Sequence, residues 1–133
     1  MAKLTYAGAA VAGSNCAVST GTSFAGGFSV VAPEFSDANR WNVDRYYLSV
    51  YLVDVNHDGN ADICVRAGTG IYCDVSISSD TNIAFSPITQ VVNNFGDNYG
   101  WGSSDAYWST VQPTGQRFCG RGGAGIVCSA GPA

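Results

Sequence analysis

At 133 residues the chain is long enough for one domain with a real core. Its 46% hydrophobic and 12% charged composition, with 17 glycines, excludes disorder in favour of a turn-rich β fold. A net charge of −4 excludes a general nucleic-acid or anionic-membrane surface, and no run reaches transmembrane length, so no membrane insertion is expected. Five cysteines point to an oxidising compartment, and the expected localisation is secreted.

In chain order, residues 1–16 carry one Lys and a weakly apolar stretch, but Gly8, Gly13 and their fit to a repeat make them mature structure, any export signal having been removed. Asn15-Cys-Ala-Val-Ser-Thr resembles the later Tyr72-Cys-Asp-Val-Ser-Ile, and the residue facing Cys16 by the same arithmetic is Ala7. Cys16 is therefore expected as a buried free thiol, with an intermolecular bridge as the alternative. Phe35-Ser-Asp-Ala-Asn-Arg-Trp41 follows, and then a strand predicted over Arg45-Tyr-Tyr-Leu-Ser-Val-Tyr.

Next comes Asp54-Val-Asn-His-Asp-Gly-Asn-Ala-Asp62. Asp54, Asn56 and Asp58 alternate, so their side chains can converge once the backbone coils. Gly59 permits the turn, Asn60 offers a carbonyl and Asp62 closes the ring. Hard cations such as Ca²⁺ take six to eight oxygens in this arrangement. The pattern lacks an EF-hand's twelfth-position Glu and is flanked by strand residues. The other reading is an Asx-rich turn without an ion.

Cys64 to Cys73 reads as a hairpin: Val65 opposes Tyr72, Arg66 opposes Ile71, Ala67 opposes Gly70, and Gly68-Thr69 is the two-residue loop. The cysteines then fall on a non-hydrogen-bonded pair, close enough for a cross-strand disulfide. Cys119 and Cys128 repeat the spacing around a Gly123-Ala124 loop. Arg66 and Arg121 hold equivalent positions, open to either a structural role or a shared ligand contact.

Phe95-Gly-Asp-Asn-Tyr-Gly-Trp101 matches 35–41, and Ala106-Tyr-Trp-Ser-Thr-Val matches the strand after Trp41. The period is 60 between the tryptophans and 55 between Cys73 and Cys128; the five missing residues fall at the ion loop, so no ion is expected in the second copy. Each unit reads as four short antiparallel strands. The chain holds strands two to four of one unit, a complete second and strands one to three of a third, with no helical periodicity. Such units suggest an all-β fold of β-propeller blades, about three incomplete blades in a single repeat domain, 1–133. The partial blade is 1–40, the full blade 41–100 and the last partial blade 101–133. Closure requires oligomerisation, giving a homo-oligomer, or membership of a larger propeller.

The ion loop resembles the FG-GAP or VCBS-type repeat of integrin-like propellers. Phe85-Ser-Pro-Ile-Thr-Gln-Val-Val-Asn-Asn-Phe-Gly and the following Gly100-Trp101 resemble the repeat of Psathyrella-type lectins. The resemblance covers about residues 5 to 130. It implies a propeller with structural Ca²⁺ and pockets between blades for N-acetylated sugars such as GlcNAc or sialic acid. The candidate glycan ligands are Asn93, Asn94, Asp97, Asn98, Tyr99 and Trp101, with Asp37 and Trp41 in the earlier copy. That copy departs by having Pro33-Glu34 for Asn93-Asn94 and Arg40 for Gly100. Sugar sites need an aromatic face with amides and carboxylates around it, which 93–101 supplies. Alternatively Phe95 and Trp101 are core and the Asx residues form turns.

Catalysis is not expected. His57, the single histidine, sits in the ion loop, leaving no base for a triad, and no carboxylate pair is fixed at a working separation. The reading is a calcium-stabilised lectin. The rivals are a structural or protein-interaction propeller, and an accessory domain of a secreted hydrolase.

Overall fold

The computed structural model describes residues 4–10, 13–19, 22–78 and 83–130. Its strands form three antiparallel sheets, of three, four and three strands. The first contains β1 (Leu4–Ala10), β2 (Gly13–Ser19) and β3 (Phe24–Ala32). The second contains β4 (Val50–Val53), β5 (Asp62–Ala67), β6 (Gly70–Asp74) and β7 (Thr89–Val92). The third contains β8 (Gln112–Thr114), β9 (Arg117–Gly122) and β10 (Gly125–Cys128). Within each sheet neighbours in sequence are neighbours in space, the meander that short turn-linked strands favour.

The hairpin registers follow the sequence reading. Cys64 pairs with Cys73, Arg66 with Ile71 and Ala67 with Gly70. Cys119 pairs with Cys128 and Arg121 with Ile126. Both pairs are disulfides, with Cα atoms 4.1 Å apart, the close approach of a non-hydrogen-bonded pair. Ala7 does face Cys16; the predicted burial of that thiol concerns a side chain outside those described.

The strands predicted to start at Arg45 and Ala106 do not start there. Single helical turns, α1 (Asp44–Tyr47) and α2 (Asp105–Trp108), intervene before β4 and β8. The cause is local. Ser104 Oγ accepts from Ala106 N at 3.1 Å and caps α2, while the backbone N–H of Tyr47 reaches Val43 O and that of Leu48 reaches Asp44 O. Tyr46, Tyr47, Tyr107 and Trp108 thus lie on helical turns rather than alternating along strands; Trp108 is buried and Tyr47 exposed.

β5 is covered on both faces. On one, Cys64 and Cys73 join Ile71, Phe95, Trp101, Val111 and Phe118 in a core shared with the third sheet. On the other, Ile63 and Val65 pack with Ala32 and Phe35, at the end of β3. Tyr51 Oη ties the second sheet to the third by donating to Val111 O at 2.6 Å. Trp101 packs on β9: a Cβ at Gly120 would come within 2.9 Å of the Trp101 ring.

Candidate functional site

Three places hold the chemistry-bearing residues. The first is the 54–62 loop, whose carboxylates are tied to the backbone. Asp54 accepts from Asp58 N at 3.1 Å and from Gly59 N at 2.9 Å. Asp58 accepts from Asn60 N at 2.9 Å, and Asn56 Nδ2 donates to Asp58 at 3.3 Å. Asp62, fully buried, accepts from Val55 N and Ser76 N. Burial, reinforced by the charges of Asp58 and Asp54 and opposed by these amides, raises the Asp62 pKa. Partial desolvation would raise Asp54, but the amides of Gly59, Asp58 and His57 lower it on balance. Among the described residues no three or more His, Cys, Asp or Glu side chains gather at metal-binding spacing. One oxygen nevertheless lacks a donor: Asn60 Oδ1 is buried without a hydrogen-bond partner.

The second is the 93–101 segment. Phe95 and Trp101 are buried in the core, and Gly96 packs against the Thr69–Gly70 backbone. Asn98 N donates to Gly68 O at 3.0 Å. Asp97 is the centre of a polar cluster. Arg66, wholly enclosed, donates from Nη1 to Asp97 Oδ1 at 2.8 Å and to Phe95 O at 3.0 Å, and from Nη2 to Arg45 O at 3.0 Å. Asp97 Oδ2 accepts from Tyr46 Oη at 2.6 Å and Arg45 Nε at 3.2 Å. Both guanidinium groups lie over the Tyr46 ring, 5.2 and 5.8 Å from its centroid. Burial would raise the Asp97 pKa, yet hydrogen bonds from Tyr46 and Arg66 and the charges of Arg66 and Arg45 outweigh it and hold the carboxyl below its ordinary value. Asn93, Asn98 and Tyr99 are exposed, and Asn94 Oδ1 accepts from Phe95 N at 2.7 Å.

The third is a cleft of about 320 Å³ lined by Asn39, Arg40, Trp41, Val43, Arg45, Tyr46, Ala67 and Gly68. It lies where the 33–43 connection meets the β5–β6 turn. Trp41 stands between Phe35 and Tyr46, its ring 5.1 and 5.5 Å from theirs. Arg40 holds a left-handed backbone, φ 71°, where the repeat has Gly100 at φ 87°. A non-glycine residue there stores backbone strain that the surrounding structure must hold in place. Asp37 lies outside the cleft lining and is exposed.

No protein family, curated protein or solved structure matches the chain.

The site thus rests on the residues themselves. The cleft brings Trp41 together with Arg40, Arg45 and Tyr46, the last two held in place by Asp97 from the connection after β7. The candidates at 93–101 do not join it. Sequence reasoning missed Arg45 and Tyr46 as cleft residues; the departure of Arg40 from the repeat was the only local signal. It also missed a carboxyl pair. Asp74, 1% exposed with Oδ1 unpartnered, is pushed up to about 8 by burial and by Glu34. Glu34 is the residue that takes the place of Asn94 in the first copy.

Among the described residues no helix is long and apolar enough to cross a membrane. The two disulfides are compatible with an oxidising compartment.

Proposed function

We propose that the protein is a secreted carbohydrate-binding module of the propeller-repeat type that binds without chemistry, and that its sugar site is the Trp41 cleft. The observation that carries this reading is the composition of that cleft: one aromatic face, two guanidinium groups, an amide and a phenol around about 320 Å³. A pyranose stacks its C–H face on an indole while donors read its oxygens. Two arginines favour a carboxylate-bearing ring. Of the two sugar classes named from the sequence, a sialic acid fits better than neutral GlcNAc. Asp97 acts as a positioning residue, because its oxygens are taken up by Arg66, Arg45 and Tyr46.

Calcium belongs to the same reading, held by Asp54, Asn56, Asp58, Asn60 and Asp62. The buried, donorless Asn60 Oδ1 and the burial that, with the nearby charges of Asp58 and Asp54, raises Asp62 suit a divalent cation. When bound it would neutralise the loop and fix the entry to β5, supplying stability rather than reactivity. The three sheets, taken as blades of a ring, complete the proposal.

Titration calorimetry with sialyllactose, lactose and GlcNAc, on Ca²⁺-saturated protein, tests it. Sialyllactose is expected to bind more tightly than either neutral sugar. Arg40→Gly, which restores the residue of the second repeat and relieves the positive φ, should weaken sialyllactose binding at least tenfold while leaving the melt intact. Absence of heat with all three sugars, or Arg40→Gly binding as tightly as the parent, overturns the assignment.

A further inference from the structure

The 33–43 connection meets the second sheet through an apolar contact and a polar one. In the first, Ala32 and Phe35 pack on Ile63 and Val65, and Trp41 stands edge-on to Phe35 with centroids 5.1 Å apart. In the second, each side contributes an acid. Asp74 pairs with Ile63 across β5 and β6, so its side chain shares the face on which Ile63 meets Phe35. It is 1% exposed, and no donor reaches its buried Oδ1. The group set against it is the carboxyl of Glu34, half-buried in the Pro33–Phe35 turn.

The next copy of this contact lacks both acids. Asn94 stands for Glu34, and Ser129, which follows Cys128 as Asp74 follows Cys73, stands for Asp74. Both replacements are neutral and tied to backbone. Asn94 Oδ1 accepts from Phe95 N at 2.7 Å and Ser129 Oγ from Phe118 N at 3.0 Å. The acids of the first contact are therefore not a requirement of the repeat, and they occur as a pair. Among the described residues the elements packed around Asp74 offer it no base. Tyr72, on the same face of β6, keeps its hydroxyl on Thr69 Oγ1 at 2.6 Å. Asp62 turns to the other face of β5, where it accepts from Val55 N and Ser76 N. β2, β3 and residues 83–92 contain no acidic or basic side chain.

We propose that Glu34 and Asp74 are a proton-dependent clasp that holds the 33–43 connection on the second sheet, so that the Trp41 cleft is assembled while the pair shares a proton and loosens when both carboxylates are charged. Two carboxylates in contact repel unless a proton lies between them. Burial and Glu34 raise Asp74 from 3.8 to about 8. The docked connection thus holds a proton that the free one releases, and docking weakens about tenfold per pH unit as pH rises through that window. Asn39, Arg40 and Trp41 move with the connection, while Ala67 and Gly68 of the opposite wall stay on the β5–β6 turn. Any effect on a sugar rests on the cleft reading above; the clasp itself is tested without ligand.

Hydrogen–deuterium exchange of the ligand-free 133-residue chain, corrected for intrinsic rates, makes that test. The amides of Arg40 and Trp41, bonded to Asp37 O and Ser36 O, should lose protection at least tenfold between about pH 5 and 8. Those of Phe118 and Arg121 in β9, bonded to Ser129 Oγ and Thr110 Oγ1, should hold. Asp74→Asn and Glu34→Gln each put an amide donor where the proton sits, and should cut the loss to under threefold; Glu34→Gln, at the half-buried partner, serves if Asp74→Asn does not fold. Protection at 40–41 independent of pH overturns the clasp, as does an equal loss in β9 or an undiminished loss in Glu34→Gln. Sialyllactose affinity should fall over the same range in the parent and not in the variants. The exchange pattern without sialyllactose binding supports the clasp and overturns the cleft reading alone.

Discussion

Replacing Arg66 by Met keeps most of the side-chain volume and removes a guanidinium that is wholly enclosed. Three hydrogen bonds go with it, to Asp97, Phe95 O and Arg45 O. Breaking a buried pair by removing one partner costs about 3–5 kcal/mol, and each stranded carbonyl adds about 1–3 kcal/mol where water cannot reach it. These overlap, and the Asp97 side chain is 24% exposed and keeps Tyr46 and Arg45, so the expected loss is about 4 kcal/mol. For a domain of this size that lowers the melting temperature by about 12–16 °C. Calorimetry of Arg66→Met, Asp97→Asn and the double variant checks it, with a coupling of about 1–3 kcal/mol expected from the cycle. The Asp97 share has a defined pH range. Its folded pKa lies below the ordinary 3.8, so that stability is present above the unfolded value and disappears as pH falls through the folded one. A drop under about 3 °C, or additive single variants, would refute the cluster as a source of stability.

Asp74 works in the opposite direction. Its folded pKa is raised from 3.8 to about 8, so its contribution is present below the unfolded value and lost as pH rises towards 8. Asp74→Asn should flatten the fall in melting temperature between pH 4 and 8 and give a protein more stable than the parent at pH 8; parallel pH curves would show the pair is not carrying that proton. For the 54–62 loop, a Ca²⁺ concentration one hundred times the dissociation constant should stabilise the parent by about 2.7 kcal/mol. Asp58→Ala should melt lower and lose its Ca²⁺ response, and a variant still responsive would rule out calcium at this loop.

What could be read in advance follows the range of the interactions. A two-residue loop and a fixed cysteine spacing set the register of Cys64–Cys73 and Cys119–Cys128 within ten residues, so both hairpins were legible. The strand count was legible because the tandem Trp motifs mark each unit. The turns at Asp44–Tyr47 and Asp105–Trp108 were not, because one turn of helix is too short to show a 3.6-residue period. The bonds Asp97 makes were not legible, because its partners Arg66, Tyr46 and Arg45 lie 31, 51 and 52 residues away. No local pattern announces a pairing at that distance. Trp41, named from the sequence as a candidate glycan ligand, lines the cleft between the 33–43 connection and the β5–β6 turn.

The cluster around Asp97 also fixes where the chain can be cut. Tyr46 and Arg45 approach the Trp41 cleft from the turn ahead of the second sheet, while the carboxylate that steadies them comes from the connection after it. A gene segment excised at sheet boundaries would lose that carboxylate and leave Arg66 enclosed without its counter-ion. The smallest segment that keeps this buried guanidinium paired is therefore the second sheet together with the connection that follows it, through Asp97.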